Sequence, residues 1–293
     1  MLTAAESRAF QQITNHAGRL AVVAADQRAS FDAALSAAGC ETTLAAKQRI
    51  KRDLVEILAP DASAVLLDPE IALPFVVEAG VVPRDTGILV SLETSLATTH
   101  GPGHGGERRA QLLPDFGPAG VRRVGGTAAK LLVYLRPDFE DADGANAGVI
   151  REAAAACAAA DLLLVVEVLT YRRDGEDQSA YDARKPQLIR ESALLAEECG
   201  ARLLKLAIPG DTAACAALTS ALKTPWAVLS AGADHEAFVV QLRHALAGGA
   251  AGFIAGRSLW KESITLPAEE RRTFLHGVGR RRLGELLATL DAS

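Results

Sequence analysis

The chain is poor in cysteine and aromatic residues, carries a single methionine and has no long apolar run. Its four cysteines, Cys40, Cys157, Cys199 and Cys215, lie far apart and form no CxxC pair. That excludes zinc-ribbon spacing and gives no disulfide framework. Aromatic residues are only 4% of the sequence against 49% hydrophobic residues. A core must therefore be aliphatic and alanine-rich, which suits helices packed closely on a sheet. No uninterrupted apolar run is long enough to span a bilayer, so no membrane association is expected. The opening MLTAAESRAFQQIT lacks a basic segment followed by an apolar run; no signal peptide is read there, and a cytoplasmic protein is expected. Basic charge is also scarce: 31 Lys and Arg against 36 Asp and Glu leave a formal net charge of -5. That argues against nucleic acid as a partner. Any anionic ligand must be held by local arginines and backbone amides.

What the sequence does have is alternation. Short apolar stretches at 20–25, 63–67, 87–92, 129–135, 162–169, 201–209, 226–229 and 251–255 read as strands. Helical patterns occupy 5–17, 44–59, 117–125, 145–160, 185–198, 211–222, 235–247 and 267–290. The strands are continuously apolar, as parallel strands covered on both faces should be. Eight β/α units over 293 residues predict an α/β fold, a single (β/α)8 TIM barrel with residues 1–293 as one domain. A doubly wound open sheet is the alternative, but no glycine-rich dinucleotide loop follows the first strand. Asp68 and Pro69 read as the N-cap and first turn of a helix. The span 93–114 reads as a long loop, rich in glycine, with His100 and His104. Their spacing would need a helix to bring them onto one metal, and Gly101, Pro102 and Gly103 oppose one. No metal site and no cofactor is expected.

Single charges interrupt the apolar strands. Lys205 lies amid Leu203, Leu204, Leu206 and Ile208; Glu167 lies near the end of strand five, Lys130 at the start of strand four, and Asp26 at the exit of strand one. An isolated buried charge is costly, so these side chains are expected to meet in the barrel mouth and offset one another. Burial disfavours the charge on a lysine, and a neutral amine attacks carbonyls to form a Schiff base. The plain alternative for Lys205 is a lysine facing solvent or paired with a carboxylate. Strands seven and eight end in Leu229-Ser-Ala-Gly232 and Ala255-Gly-Arg257. Ser230, Gly232, Gly256 and Arg257 suit a phosphate, which such barrels often hold after these strands.

With these residues in order, the sequence resembles the class I, Schiff-base aldolases that cleave tagatose 1,6-bisphosphate or 6-deoxy-6-sulfofructose 1-phosphate. The resemblance is carried by Ala24-Ala-Asp-Gln-Arg28, Ser63-Ala-Val-Leu-Leu-Asp-Pro-Glu70, Lys130-Leu-Leu-Val-Tyr134, Glu167-Val-Leu-Thr-Tyr171, Leu204-Lys205, Leu229-Ser-Ala-Gly232 and Ala255-Gly-Arg-Ser-Leu-Trp260. It implies a TIM barrel that cleaves a ketose 1-phosphate to dihydroxyacetone phosphate and a three-carbon anionic aldehyde. Lys205 would form the Schiff base, Glu167 transfer protons, Lys130 adjust their field and Asp26 act on the substrate hydroxyls. Ser230, Gly232, Gly256 and Arg257 would hold the C1 phosphate, with Gln27, Arg28 and Arg109 as candidates for the distal anion. The resemblance also implies a homo-oligomer with a small sugar phosphate as its partner. One departure is Ala207, where the tagatose enzymes carry an acidic residue two positions past the lysine. A sugar-phosphate sensor on the same barrel, or a Schiff-base aldolase for another sugar phosphate, is the alternative function.

Overall fold

The structure is a computed structural model that describes residues 2–95, 98–99, 108–140 and 142–293. His100 and His104, and with them residues 96–97 and 100–107 of the expected loop, lie outside the described residues.

Eight parallel strands close into a barrel: β1 (Leu20–Ala24), β2 (Ala64–Leu67), β3 (Gly87–Ser91), β4 (Ala128–Tyr134), β5 (Leu163–Leu169), β6 (Leu203–Leu206), β7 (Trp226–Leu229) and β8 (Gly252–Ala255). Pairing of β1 with both β2 and β8 closes the ring. The fold is the expected TIM barrel. Alternation along each strand divides the core in two. Leu20, Val22, Leu66, Leu89, Ala128, Val165 and Leu203 fill the barrel, while Ala21, Val23, Val65, Val90, Leu131 and Leu204 face the helices. Both faces are covered, so the strands carry few polar residues, Ser91, Lys130, Glu167 and Lys205 among them.

The barrel base is closed by the helix Ala4–Ile13, started by a capping box between Thr3 and Glu6. Ala9 and Ile13 join the barrel's inner core. Gly87 permits this approach: a Cβ there would lie 2.9 Å from the Ile13 side chain and 2.7 Å from the Gln12 carbonyl.

Several elements differ from the sequence expectation. The first helix ends at Ile13, not 17, because Asn15 turns the chain, its side chain accepting from the Ala17 and Arg19 amides. A helix at Ala29–Ala37 was not expected; it buries only Phe31 and Leu35, too short a pattern to stand out. Asp68 caps a turn, not a long helix: its Oδ1 accepts from the amides of Glu70 and Ile71, and the helix that follows is only Phe75–Glu78. The helix expected at 185–198 begins at Gln178, capped by Asp177, with Pro186 in its interior. The C-terminal helical pattern is divided into Ala268–Phe274, a π-helical turn Leu275–Gly279, and Arg280–Asp291.

Candidate active site

Strand register brings the charged residues together. Glu167 of β5 stands beside Lys205 of β6, and Leu132 of β4 stands on the other side of Glu167. Lys130, two residues before Leu132, shares its inward face one layer deeper, and its long side chain rises into the mouth. The Lys205 Nζ donates to Glu167 Oε2 at 2.9 Å. The same oxygen lies 2.9 Å from Lys130 Nζ, so one carboxylate bridges both amines. Asp26, just past β1, accepts from Lys130 at 2.9 Å through Oδ2 and from the Ser91 hydroxyl at 3.2 Å. Asp26, Lys130, Glu167 and Lys205 are all buried.

Two further residues complete the cluster. Glu93, just past β3, accepts from Lys130 at 2.9 Å and from the Leu132 amide at 3.0 Å. Arg28 donates to the Glu93 carboxylate at 3.2 Å, to the Glu93 carbonyl at 2.7 Å, and to Glu70. Three buried carboxylates thus face three buried cations. Burial alone would raise the Asp26 and Glu167 carboxyls, but Lys130 and then Lys205 outweigh it and hold both below the ordinary carboxylate range. Burial alone would lower Lys130. Asp26, Glu167 and Glu93 overcome that and raise its ammonium well above an ordinary lysine.

Lys130 is therefore fixed as a cation by three carboxylates. Among the described residues Lys205 has one, Glu167. A neutral partner arriving at the Lys205 amine has a single ion pair to displace. Sequence reading placed these four residues together. It did not assign Glu93 to the site, although an acidic residue just past an apolar strand was the same signal that marked Asp26. It assigned no role to Lys51, which sits in the helical pattern of 44–59. In the fold Lys51 is buried, paired with Asp68, and donates to the Gln27 carbonyl at 2.9 Å. That pair anchors the loop that carries Asp26.

The β7 and β8 exits are built differently. Ala231 and Gly232 both take positive φ, +50° and +81°, in a tight turn after Ser230. Gly256 cannot carry a side chain, since a Cβ would lie 2.4 Å from the Ala24 carbonyl. Arg257 is exposed, and its guanidinium lies against Gly232, 3.4 Å from where a Cβ would stand. Among the described residues it has no acidic partner. Ser230, Gly232, Gly256 and Arg257 thus form one small-residue rim with a cation on it.

The three candidates for the distal anion fall elsewhere. The Arg28 guanidinium is occupied by Glu70 and Glu93. Gln27 is half-buried beside it. Arg109 is half-buried in a two-strand ribbon, paired with Thr98. Among the described residues no group of three or more His, Cys, Asp or Glu side chains gathers to hold a metal ion. No helix among them is long and apolar enough to cross a membrane.

A family model described as DeoC/LacD family aldolase matches residues 20–262. The chain is 27% identical over 291 residues to tagatose 1,6-diphosphate aldolase 2 of Enterococcus faecalis, covering 90% of this chain and 85% of that one. It is 27% identical over 317 residues to tagatose 1,6-diphosphate aldolase of Staphylococcus epidermidis, covering 97% and 95%. An archaeal fructose 1,6-bisphosphate aldolase shares the fold with a TM-score of 0.63 at 19% identity, over 95% of this chain and 99% of that one. A Schiff-base-forming fructose-1,6-bisphosphate aldolase does so with a TM-score of 0.62 at 18% identity, over 93% and 99%.

Proposed function

This chain belongs to the DeoC/LacD family of aldolases, and we propose that it is a Schiff-base enzyme acting on a ketose 1-phosphate, with Lys205 as the nucleophile. The observation that carries this reading is the contrast between the two buried amines. Among the described residues Lys130 is held by three carboxylates, whereas Lys205 shares only Glu167. An amine must shed its proton to attack a ketone, and Lys205 is the one whose single partner is also a base positioned to take that proton.

In this reading the residues take the following roles. Lys205 Nζ attacks the C2 ketone, and the carbinolamine loses its oxygen as water with a proton delivered by Glu167. The resulting iminium withdraws electrons as the C3–C4 bond breaks. The C4 hydroxyl gives its proton to a carboxylate, and the aldehyde leaves. Asp26, held low by Lys130, orients the hydroxyls near that bond. The enamine takes a proton at C3, and hydrolysis of the iminium returns dihydroxyacetone phosphate and the free lysine. Lys130 remains a fixed charge that keeps Glu167 and Asp26 ionised between turnovers. Ser230, Gly232, Gly256 and Arg257 hold the C1 phosphate. The distal end carries an anion, phosphate as in a tagatose bisphosphate or sulfonate as in a 6-deoxy-6-sulfofructose phosphate. Residues 1–293 act as one catalytic domain, working in the cytoplasm as a homo-oligomer.

Borohydride reduction in the presence of dihydroxyacetone phosphate and EDTA, followed by peptide mass mapping, tests the assignment. A reduced adduct on Lys205 is expected. An adduct on Lys130 would reverse the roles of the two amines. Absence of any adduct on folded protein would sink the Schiff-base mechanism and favour the sensor.

A further inference from the structure

Three arginines stand on the β1–β5 side of the mouth in different company. Arg28 is neutralised by Glu70 and Glu93. Arg136, buried just past β4, is neutralised by Asp138 and Glu176 and donates to the Tyr171 carbonyl at 2.6 Å. Arg108 is not neutralised. Among the described residues its guanidinium has no carboxylate; it lies over two aromatic rings, 5.1 Å from the centroid of Tyr134 and 5.7 Å from that of Tyr171. Stacking of this kind engages the face of a guanidinium. Its five N–H groups lie in its plane, and Arg108 is exposed.

The position is built, not incidental. Asn146 is fully buried and clamps the backbone just after Arg108. Its Nδ2 donates to the Arg108 carbonyl at 3.0 Å and to the Tyr134 carbonyl at 2.8 Å, while its Oδ1 accepts from the Ala110 amide at 2.9 Å. Arg108 is thereby tied to the end of β4. The rings beneath it are fixed as well. Tyr134 is on the inward face of β4, four residues beyond Lys130, and meets Tyr171 edge-on at 6.3 Å. Arg136 also holds the Tyr171 loop, through the Tyr171 carbonyl and 6.0 Å from the ring.

Its place in the ring gives this cation a purpose. In the closed order β1-β8-β7-β6-β5-β4-β3-β2, β4 is diametrically opposite β8. Arg257 follows β8, and Lys205 and Glu167 lie on β6 and β5 between the two. A linear ketose with its C1 phosphate at Arg257 and its C2 at Lys205 extends its far end toward β4.

We propose that Arg108 binds the distal tetrahedral oxyanion of the substrate, and so sets the enzyme's preference for an anionic aldehyde over a neutral one. This rests on the aldolase reading and adds the residue that selects the aldehyde half. The sequence offered Arg109 for that role; its neighbour is the one stacked on the mouth tyrosines.

The test runs in the condensing direction, which leaves the C4 configuration of the product open. Wild type and Arg108→Gln are given dihydroxyacetone phosphate with glyceraldehyde 3-phosphate, its 3-sulfonate counterpart, or glyceraldehyde, and loss of dihydroxyacetone phosphate is followed. Arg108→Gln is expected to lower kcat/KM about 10- to 100-fold for the anionic aldehydes, chiefly through KM. The neutral aldehyde should change by less than about twofold, and borohydride trapping with dihydroxyacetone phosphate alone should be unchanged. Arg108→Lys should recover part of the loss, and the anion with the larger loss is the native one. Equal losses on all three aldehydes, no loss on any, or a wild type indifferent to aldehyde charge would overturn the proposal. If wild type forms no adduct with dihydroxyacetone phosphate, the aldolase reading itself fails, and this one with it. If trapping is intact but selectivity is unmoved, only Arg108 is misassigned.

Discussion

At its base the barrel is stoppered by hydrocarbon, with Ala9, Phe10 and Ile13 packed under Leu20, Ala64 and Leu203; its mouth is filled by charge, with Asp26, Glu93, Lys130, Glu167 and Lys205 buried within hydrogen-bond reach of one another. Both ends exclude water, at different cost. Burying apolar surface is favourable by about 25 cal/mol per Å2. Burying an ion costs several kcal/mol, which its partners must offset. Only the second arrangement leaves groups able to move protons. A recess of about 1120 Å3 opens beside the apolar stopper, lined by Arg8, Gln12, Asp61, Arg84 and Thr127 among others. It lies at the far end from the buried charges.

The comparison can be broken at either end. The largest effect is expected at the mouth. Lys205→Met should lose on the order of 10^5-fold in kcat yet remain folded, because Glu167 keeps Lys130 as a partner. Lys130→Met should lose less activity but cost about 3–5 kcal/mol of stability, since it leaves three carboxylates undercompensated. Paired turnover and urea-unfolding measurements decide this; a Lys130→Met protein as stable as wild type would mean that the mouth charges are not coupled as described.

At the base the order should reverse. Ile13→Ala should cost about 2–5 kcal/mol while kcat stays within about twofold of wild type at a temperature where the protein is folded. A large loss of kcat there would show that the stopper governs the mouth.

The smallest effect concerns pH. Asp26 and Glu167 have carboxyls held low in the folded protein, by Lys130 and then Lys205 against the opposing effect of burial. Their contribution to stability is complete above the ordinary carboxylate value of about 4 and is lost as pH falls through the depressed folded values. Lys130, whose pKa is raised, runs the other way: its contribution is complete below about pH 10.4 and is lost only as pH rises through the folded value. Unfolding free energy should therefore fall below about pH 4, and the penalty of Lys130→Met should shrink over that range as its carboxylates protonate. The Ile13→Ala penalty should not vary with pH. A Lys130→Met penalty that is constant from pH 7 to 3 would separate Lys130 from the carboxylates around it.

Much of this was legible in the chain. Apolar runs broken by turn residues gave all eight strands, and lone charges in them gave Lys130, Glu167 and Lys205. The misreadings fell where the signal is weak. Ala29–Ala37 buries two side chains, and the start of Gln178–Glu198 is polar. Glu93 was read as the start of a loop. Lys51 shares its helix with other lysines and arginines, and only packing shows that it alone among the helix's basic residues is fully buried.

The sequence by itself determined that strands and helices alternate, that the strands are covered on both faces, and that a few ionisable side chains go inside with them. Those properties are local, set by hydrophobic run and period. Only the tertiary structure decided which charge meets which. Lys130 and Asp26 are 104 residues apart, and Arg28 and Glu93 are 65. Their pairing depends on closure of the ring and on strand register, where a shift of one residue would turn Glu167 from Lys205 toward the helices. The difference between the two buried amines, one held by three carboxylates and one, among the described residues, by a single one, exists only once the barrel has closed.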